Sequence, residues 1–121
     1  MLACAAMSPL DVAQAMPVDA ADAFDRWLRE HGATERETIV AIYKKTSGMQ
    51  TVTFDALLET AFCHGWVDTQ TKSIDEERYA IRFVPRRPGS NWSPRNREIV
   101  RRLLREGRIT ASGTATLPPD L

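Results

Sequence analysis

Apolar residues recur with helical spacing in three stretches of this chain and with strand character in three others. Between residues 19 and 31, Ala20, Phe24, Trp27, Leu28 and His31 share one face of a 3.6-residue period. Asp19 and Asp22 suit the start of that helix, and Gly32 suits its C′ position. A second helix is predicted over 54–64, where Phe54, Leu57, Leu58, Ala61 and Phe62 match the amphipathic template between a Thr53 N-cap and a Gly65 stop. A third follows Ser93-Pro94, serine at the N-cap and proline at the first helical position, and runs to about Glu106 before Gly107. Its stripe is Ile99, Val100, Leu103 and Leu104, with Asn96 one turn earlier on the same side and Arg95, Arg101, Arg102 and Arg105 off it.

The run Thr38-Ile39-Val40-Ala41-Ile42-Tyr43 is continuously apolar and β-branched, as a buried central strand is. Trp66 to Lys72 and Tyr79 to Val84 predict a hairpin turning in the region of Ile74 to Glu77. Strand alternation places Tyr79, Ile81 and Phe83 on one face and Arg82 on the other, and puts Trp66 and Asp68 together. The order is therefore α-β-α-β-β-α. This is an α+β domain, a small antiparallel-containing sheet of about three strands packed with three main helices. Residues 1–17 are expected as a flexible leader, 18–113 as the domain and 114–121 as a tail, with Met1 or Met7 as the start.

Composition is that of an ordinary globular domain, and formal net charge is zero. The charge is unevenly spread: residues 1–77 hold 13 acids and 6 bases, residues 78–121 hold 3 acids and 10 bases, all arginine. Either the two halves neutralise each other in the fold, or the arginines form a face for a partner. Two cysteines, Cys4 and Cys63, make no disulfide framework, and no apolar run is long enough to span a membrane. The short apolar N-terminus lacks a basic region and does not read as a signal peptide, so the cytoplasm is expected.

The densest chemistry lies between Arg82 and Ser93, where three arginines, two prolines, a glycine and Trp92 crowd twelve residues. Proline stiffens this connector, which sets guanidinium groups beside an indole. Arg82, Arg86, Arg87 and Trp92 are the candidate ligand-binding residues. Asp68 and Trp66 join them from the hairpin, and Ser93 and Asn96 from the start of the last helix, whose free N–H groups favour an anion. Asp68 and Arg82 are expected as direct or diagonal cross-strand neighbours, either a plain ion pair or a carboxylate orienting an arginine. Trp92 either plugs the loop onto the core or stacks on a ligand. Cys63 and His64 adjoin each other in sequence at a helix C-terminus, which neither faces them together nor activates a thiol, so a small buried thiol is expected. No metal or cofactor is expected.

Several segments resemble a known family. They are Phe24-x-x-Trp27-Leu28-x-x-His31, Ile42-Tyr43-Lys44-Lys45-x-x-Gly48, and Ala61-Phe62-Cys63-His64-Gly65-Trp66-Val67-Asp68. They continue with Tyr79-x-x-Arg82-Phe83-x-Pro85-Arg86-Arg87-Pro88-x-Ser90-x-Trp92-Ser93-x-x-Asn96 and Gly107-Arg108-Ile109. Over residues 20–113 the chain is similar to the YdeI/OmpD-associated, bacteriocin-protection-like family. It departs at His64, where the family usually has Phe or Tyr, and at Val84, where a hydroxyl residue is common. Family members also continue beyond the Gly113 region with helices opened by a proline-rich turn. Thr116 to Leu121 resembles that opening, so the chain is expected to lack the module. The resemblance implies a link to envelope stress or resistance to bacteriocins and cationic peptides, with no established enzymatic activity. The function expected is non-enzymatic binding of a small anion or acidic protein partner, without membrane insertion. The alternatives are nucleic-acid binding through the arginine-rich half, with Trp92 and Trp66 as stacking platforms, and an enzyme working through Asp68, His64 or Cys63.

Overall fold

The computed structural model describes residues 9–87 and 89–121. Element order is β1 (Met16–Pro17), α1 (Ala21–His31), β2 (Thr38–Tyr43), α2 (Phe54–Cys63), β3 (Trp66–Ser73), β4 (Arg78–Pro85), α3 (Pro94–Arg105) and α4 (Ala111–Thr114), with 3-10 turns at Val12–Gln14 and Lys45–Ser47. The α+β class and the order α-β-α-β-β-α hold for the six longer elements. Among the described residues the sheet has four strands, in the order β1-β2-β4-β3, not about three. The extra strand, β1, pairs parallel to β2 through Met16 and Pro17. Two residues, one of them proline, carry no periodic signal. The fourth helix, α4, is Ala-Ser-Gly-Thr, too short and too polar to register as a helix.

Strand alternation assigns the faces. Val40 and Ile42 of β2, Ile81 and Phe83 of β4 and Trp66 of β3 form one apolar surface, onto which α1 sets Phe24 and Leu28 and α2 sets Leu57 and Ala61. Phe24 and Phe83 stack at 4.9 Å between centroids, and Trp27 meets Trp66 edge-on at 5.7 Å. Each such fully buried side chain contributes about 1.5–3 kcal/mol. Ala20 and His31, predicted on the α1 stripe, sit at its ends and are exposed. The α2 stripe divides between two cores. Leu57 and Ala61 face the sheet, while Leu58, Phe62 and Cys63 meet Val100 and Leu103 of α3, joined by Ile109, Leu117 and Leu121. The helix is buried on both sides because it is the middle layer.

The other face of the sheet is also covered. Leu10 packs on Ile39 and Ala80, flanked by Val12, Ala15 and Ile74. Residues 9–17, expected as part of a flexible leader, therefore fold against the sheet; residues 1–8, Cys4 included, lie outside the described residues. Likewise the 114–121 tail contributes Leu117 and Leu121 to the second core. No helix among the described residues is long and apolar enough to cross a membrane.

Candidate functional site

The connector from β4 to α3 is pinned at both ends. The Arg86 N–H donates to the Gly65 carbonyl at 2.7 Å, and the Ser93 hydroxyl caps α3 by accepting from the Asn96 N–H at 3.1 Å. Between them, the Arg86 guanidinium carbon lies 3.7 Å from the centre of the Trp92 ring, and Nη2 donates to the Asn91 carbonyl at 2.7 Å. Trp92 rests in turn on Phe62, centroids 5.5 Å apart, so the indole both plugs the second core and floors the arginine. Burial lowers the Arg86 pKa from its ordinary value, and the nearby Asp68 charge partly opposes this. Arg86 Nε and Ser90 Oγ are buried without a hydrogen-bond partner among the described residues. Arg87 is exposed, and Pro88 lies outside the described residues.

The predicted pairing of Asp68 with Arg82 does not form. β3 carries a bulge between Asp68 and Gln70, so Asp68 lies opposite Phe83 and Gln70 lies opposite Arg82. One extra residue turns Asp68 to the helix side and leaves Arg82 on the other. Arg82 is 1% exposed; its Nη1 donates to Gln70 Oε1 at 2.7 Å, and its Nε lies 3.6 Å from Glu37. It belongs to the covered far face and does not converge with Arg86, Arg87 and Trp92. Trp66, also a candidate, is a core residue at 2% exposure and offers no face for stacking. Ser93 and Asn96 serve the α3 cap, with Asn96 half-buried beside the loop.

The uneven charge is largely consumed inside the fold. Seven of the ten arginines after residue 77 have a carboxylate within 4.0 Å: Arg78, Arg82, Arg95, Arg97, Arg101, Arg102 and Arg108. Glu59 alone takes Arg102 at 2.6 Å and Arg108 at 3.5 Å. Among the described residues the remainder are Arg86, Arg87 and Arg105, two of them adjacent in the loop.

A second cluster gave only a partial signal in the sequence. His64 is buried at the end of α2, and its Nε2 lies 2.6 Å from Asp25 Oδ1 of α1. The other Asp25 oxygen accepts from Arg29 Nε at 2.8 Å. Burial raises the Asp25 pKa, but the hydrogen bonds from His64 and Arg29 outweigh it and hold the carboxyl below its usual 3.8. The group borders a cavity of about 330 Å³ lined by α1, His64 and residues 110–112. The i,i+4 spacing of Asp25 and Arg29 is a local signal that went unread; their meeting with His64, 39 positions from Asp25, carries none.

A family model for a domain of unknown function, DUF8412, matches residues 16–116. The chain belongs to the DUF8412 family. No curated protein and no solved structure matches it. The DUF8412 match spans every element from β1 to α4 and contains both clusters.

Cys63, the remaining candidate, is buried in this DUF8412 domain, and burial, with Arg108 opposing, raises its thiol pKa above the usual value. It is the small buried thiol that the sequence suggested, covered by α3 and the C-terminal segment. Among the described residues no group of three or more His, Cys, Asp and Glu side chains is placed to hold a metal ion.

Proposed function

We propose that this DUF8412 chain is a non-enzymatic module that binds a small anion or an acidic protein partner through Arg86, Arg87 and Trp92. The observation that carries the reading is that these two adjacent arginines have no carboxylate partner among the described residues, while Arg86 is held over Trp92 with its Nη1 in no hydrogen bond among those residues. A partly desolvated guanidinium with a spare donor gains more from an oxyanion than a solvated one does. The resemblance to the YdeI/OmpD-associated family supplies the context, envelope stress or resistance to bacteriocins and cationic peptides, with the cytoplasm as the working compartment. The arginine count is a weaker argument than it first looks, because the fold neutralises most of it. For the same reason nucleic-acid binding is the second reading, and it retains Trp92 but not Trp66 as a platform.

Calorimetric titration of the full chain with inorganic phosphate and with an oligoglutamate peptide tests this. The expected result is saturable binding of at least one, weakened about tenfold by Arg87→Ala and by Arg86→Lys, which keeps charge but loses the fork. Arg87→Ala should leave the urea midpoint unchanged. Equal affinity in Arg87→Ala and the parent chain, or no binding at low salt, overturns the reading. Binding confined to a single-stranded oligonucleotide, falling steeply with salt, replaces it with the second.

A further inference from the structure

We propose that the cavity beside His64 is a separate binding site for a small molecule bearing a carboxylate or phosphate, with Arg29 and Ser112 as its recognition pair. The volume, about 330 Å³, suits a small ligand. Its polar lining is four side chains, Arg29, His64, Thr110 and Ser112, set against Leu28 and the bare backbone of Gly32, and Thr110 spends its hydroxyl on the Cys63 carbonyl.

Asp25 fixes Arg29 and His64 in the cavity wall. One carboxylate oxygen holds His64 Nε2 and the other holds Arg29 Nε, so both neighbours are fixed by a single group. That leaves specific donors unused. Arg29 spends only Nε on Asp25, and its two terminal nitrogens make no hydrogen bond among the described residues. The Ser112 hydroxyl likewise makes none among the described residues, whereas a neutral His64 that donates Nε2–H to Asp25 keeps Nδ1 as an acceptor and lines the cavity without supplying a donor. An arginine tethered by Nε presents its Nη pair as a fork, the geometry that grips an oxyanion at two points. A role as a strut between α1 and α2 accounts for the Asp25–His64 contact. It does not account for an arginine and a hydroxyl lining the same hollow with free donors. The inference is independent of the Arg86 loop, which contributes no lining residue.

The test follows the His64 imidazole resonances of the isotope-labelled full chain, with His31→Gln to leave one histidine. Acetate and inorganic phosphate are titrated separately at constant ionic strength, with chloride as the matched control. The expected result is a saturable shift of His64 with one or both anions below about 50 mM, and the tighter arm identifies the oxyanion. Arg29→Gln should weaken it about tenfold or more, Arg29→Lys should weaken it less, and Arg87→Ala should leave it unchanged. The Arg29 side chain is 63% exposed, so these variants keep the fold. Three results overturn the proposal: no saturable shift with either anion, an equal shift with chloride, or the same curve in Arg29→Gln.

Discussion

Replacing Gly113 with alanine tests how the C-terminal segment is held. A Cβ at this position would lie 2.3 Å from the Cys63 carbonyl oxygen and 2.9 Å from Ile109 Cγ2, where ordinary contact begins at 3.4 Å. The backbone of α4 must therefore retreat by about 1 Å, an overpacking change that typically costs 1–3 kcal/mol. The retreat also strains two hydrogen bonds onto that carbonyl, from the Thr110 N–H at 2.9 Å and the Thr110 hydroxyl at 2.8 Å. Each is worth about 1 kcal/mol net and is weakened rather than lost, which places the total at about 2–3 kcal/mol. For a domain of this size that lowers the melting temperature by roughly 10 °C and the urea midpoint by about 1 M. Equilibrium urea denaturation followed by tryptophan fluorescence measures it. Gly107→Ala is the control, because it has the same lack of a side chain but open space around it, at φ +70°. It should cost only about 1–2 kcal/mol, the penalty of the left-handed conformation. A midpoint for Gly113→Ala at or above that of Gly107→Ala would refute the idea that α4 docks through backbone contact.

Two further outcomes are expected. The Asp25 carboxyl titrates below its unfolded value of 3.8, so its contribution is complete above that pH and disappears as pH falls through the lower folded value. Stability of Asp25→Asn should accordingly fall less steeply than that of the parent chain below about pH 4; parallel urea-midpoint curves from pH 7 to 3 would contradict this. With Cys4→Ser leaving a single thiol, Cys63 should resist an aromatic disulfide reagent in the folded chain and react fully in urea, and rapid native labelling would show that the C-terminal cover is open.

The six longer elements were legible because each carries its own period and punctuation. Ser93-Pro94 marks the start of α3 with a hydroxyl and a preset φ, and Thr53 caps α2 through the Ala56 N–H as its position suggests. The faces of β4 followed from alternation alone. What the pattern could not supply was anything decided between distant segments. The burial of Arg82 depends on the far face being covered, and the Asp25–His64 contact joins two helices that no local rule brings together. Asp68 and Arg82 failed as a pair for a different reason. Alternation assumes an unbroken ladder, and nothing in Val67-Asp68-Thr69-Gln70 announces where it breaks. The arginine-rich half left neutralisation and a partner face both open, and the carboxylates of Glu37, Asp55, Glu59 and Asp75 decide largely for neutralisation.

The break at Thr69 also gives the outer strand one place where a residue can be lost without changing its faces. Before it, Trp66 and Asp68 belong to the layer of helices; beyond it, Gln70 and Lys72 serve the opposite side. Deleting Thr69 would remove the extra residue and leave Gln70 opposite Arg82 and Lys72 opposite Ala80, whereas deleting Thr71 from the regular ladder would bring Lys72 opposite Ile81 on the apolar face. The same deletion in the exposed turn at Glu76 would be absorbed by the loop. Loss of a residue along this hairpin is thus tolerated at its tip and at the bulge, and forbidden in the regular ladder between them.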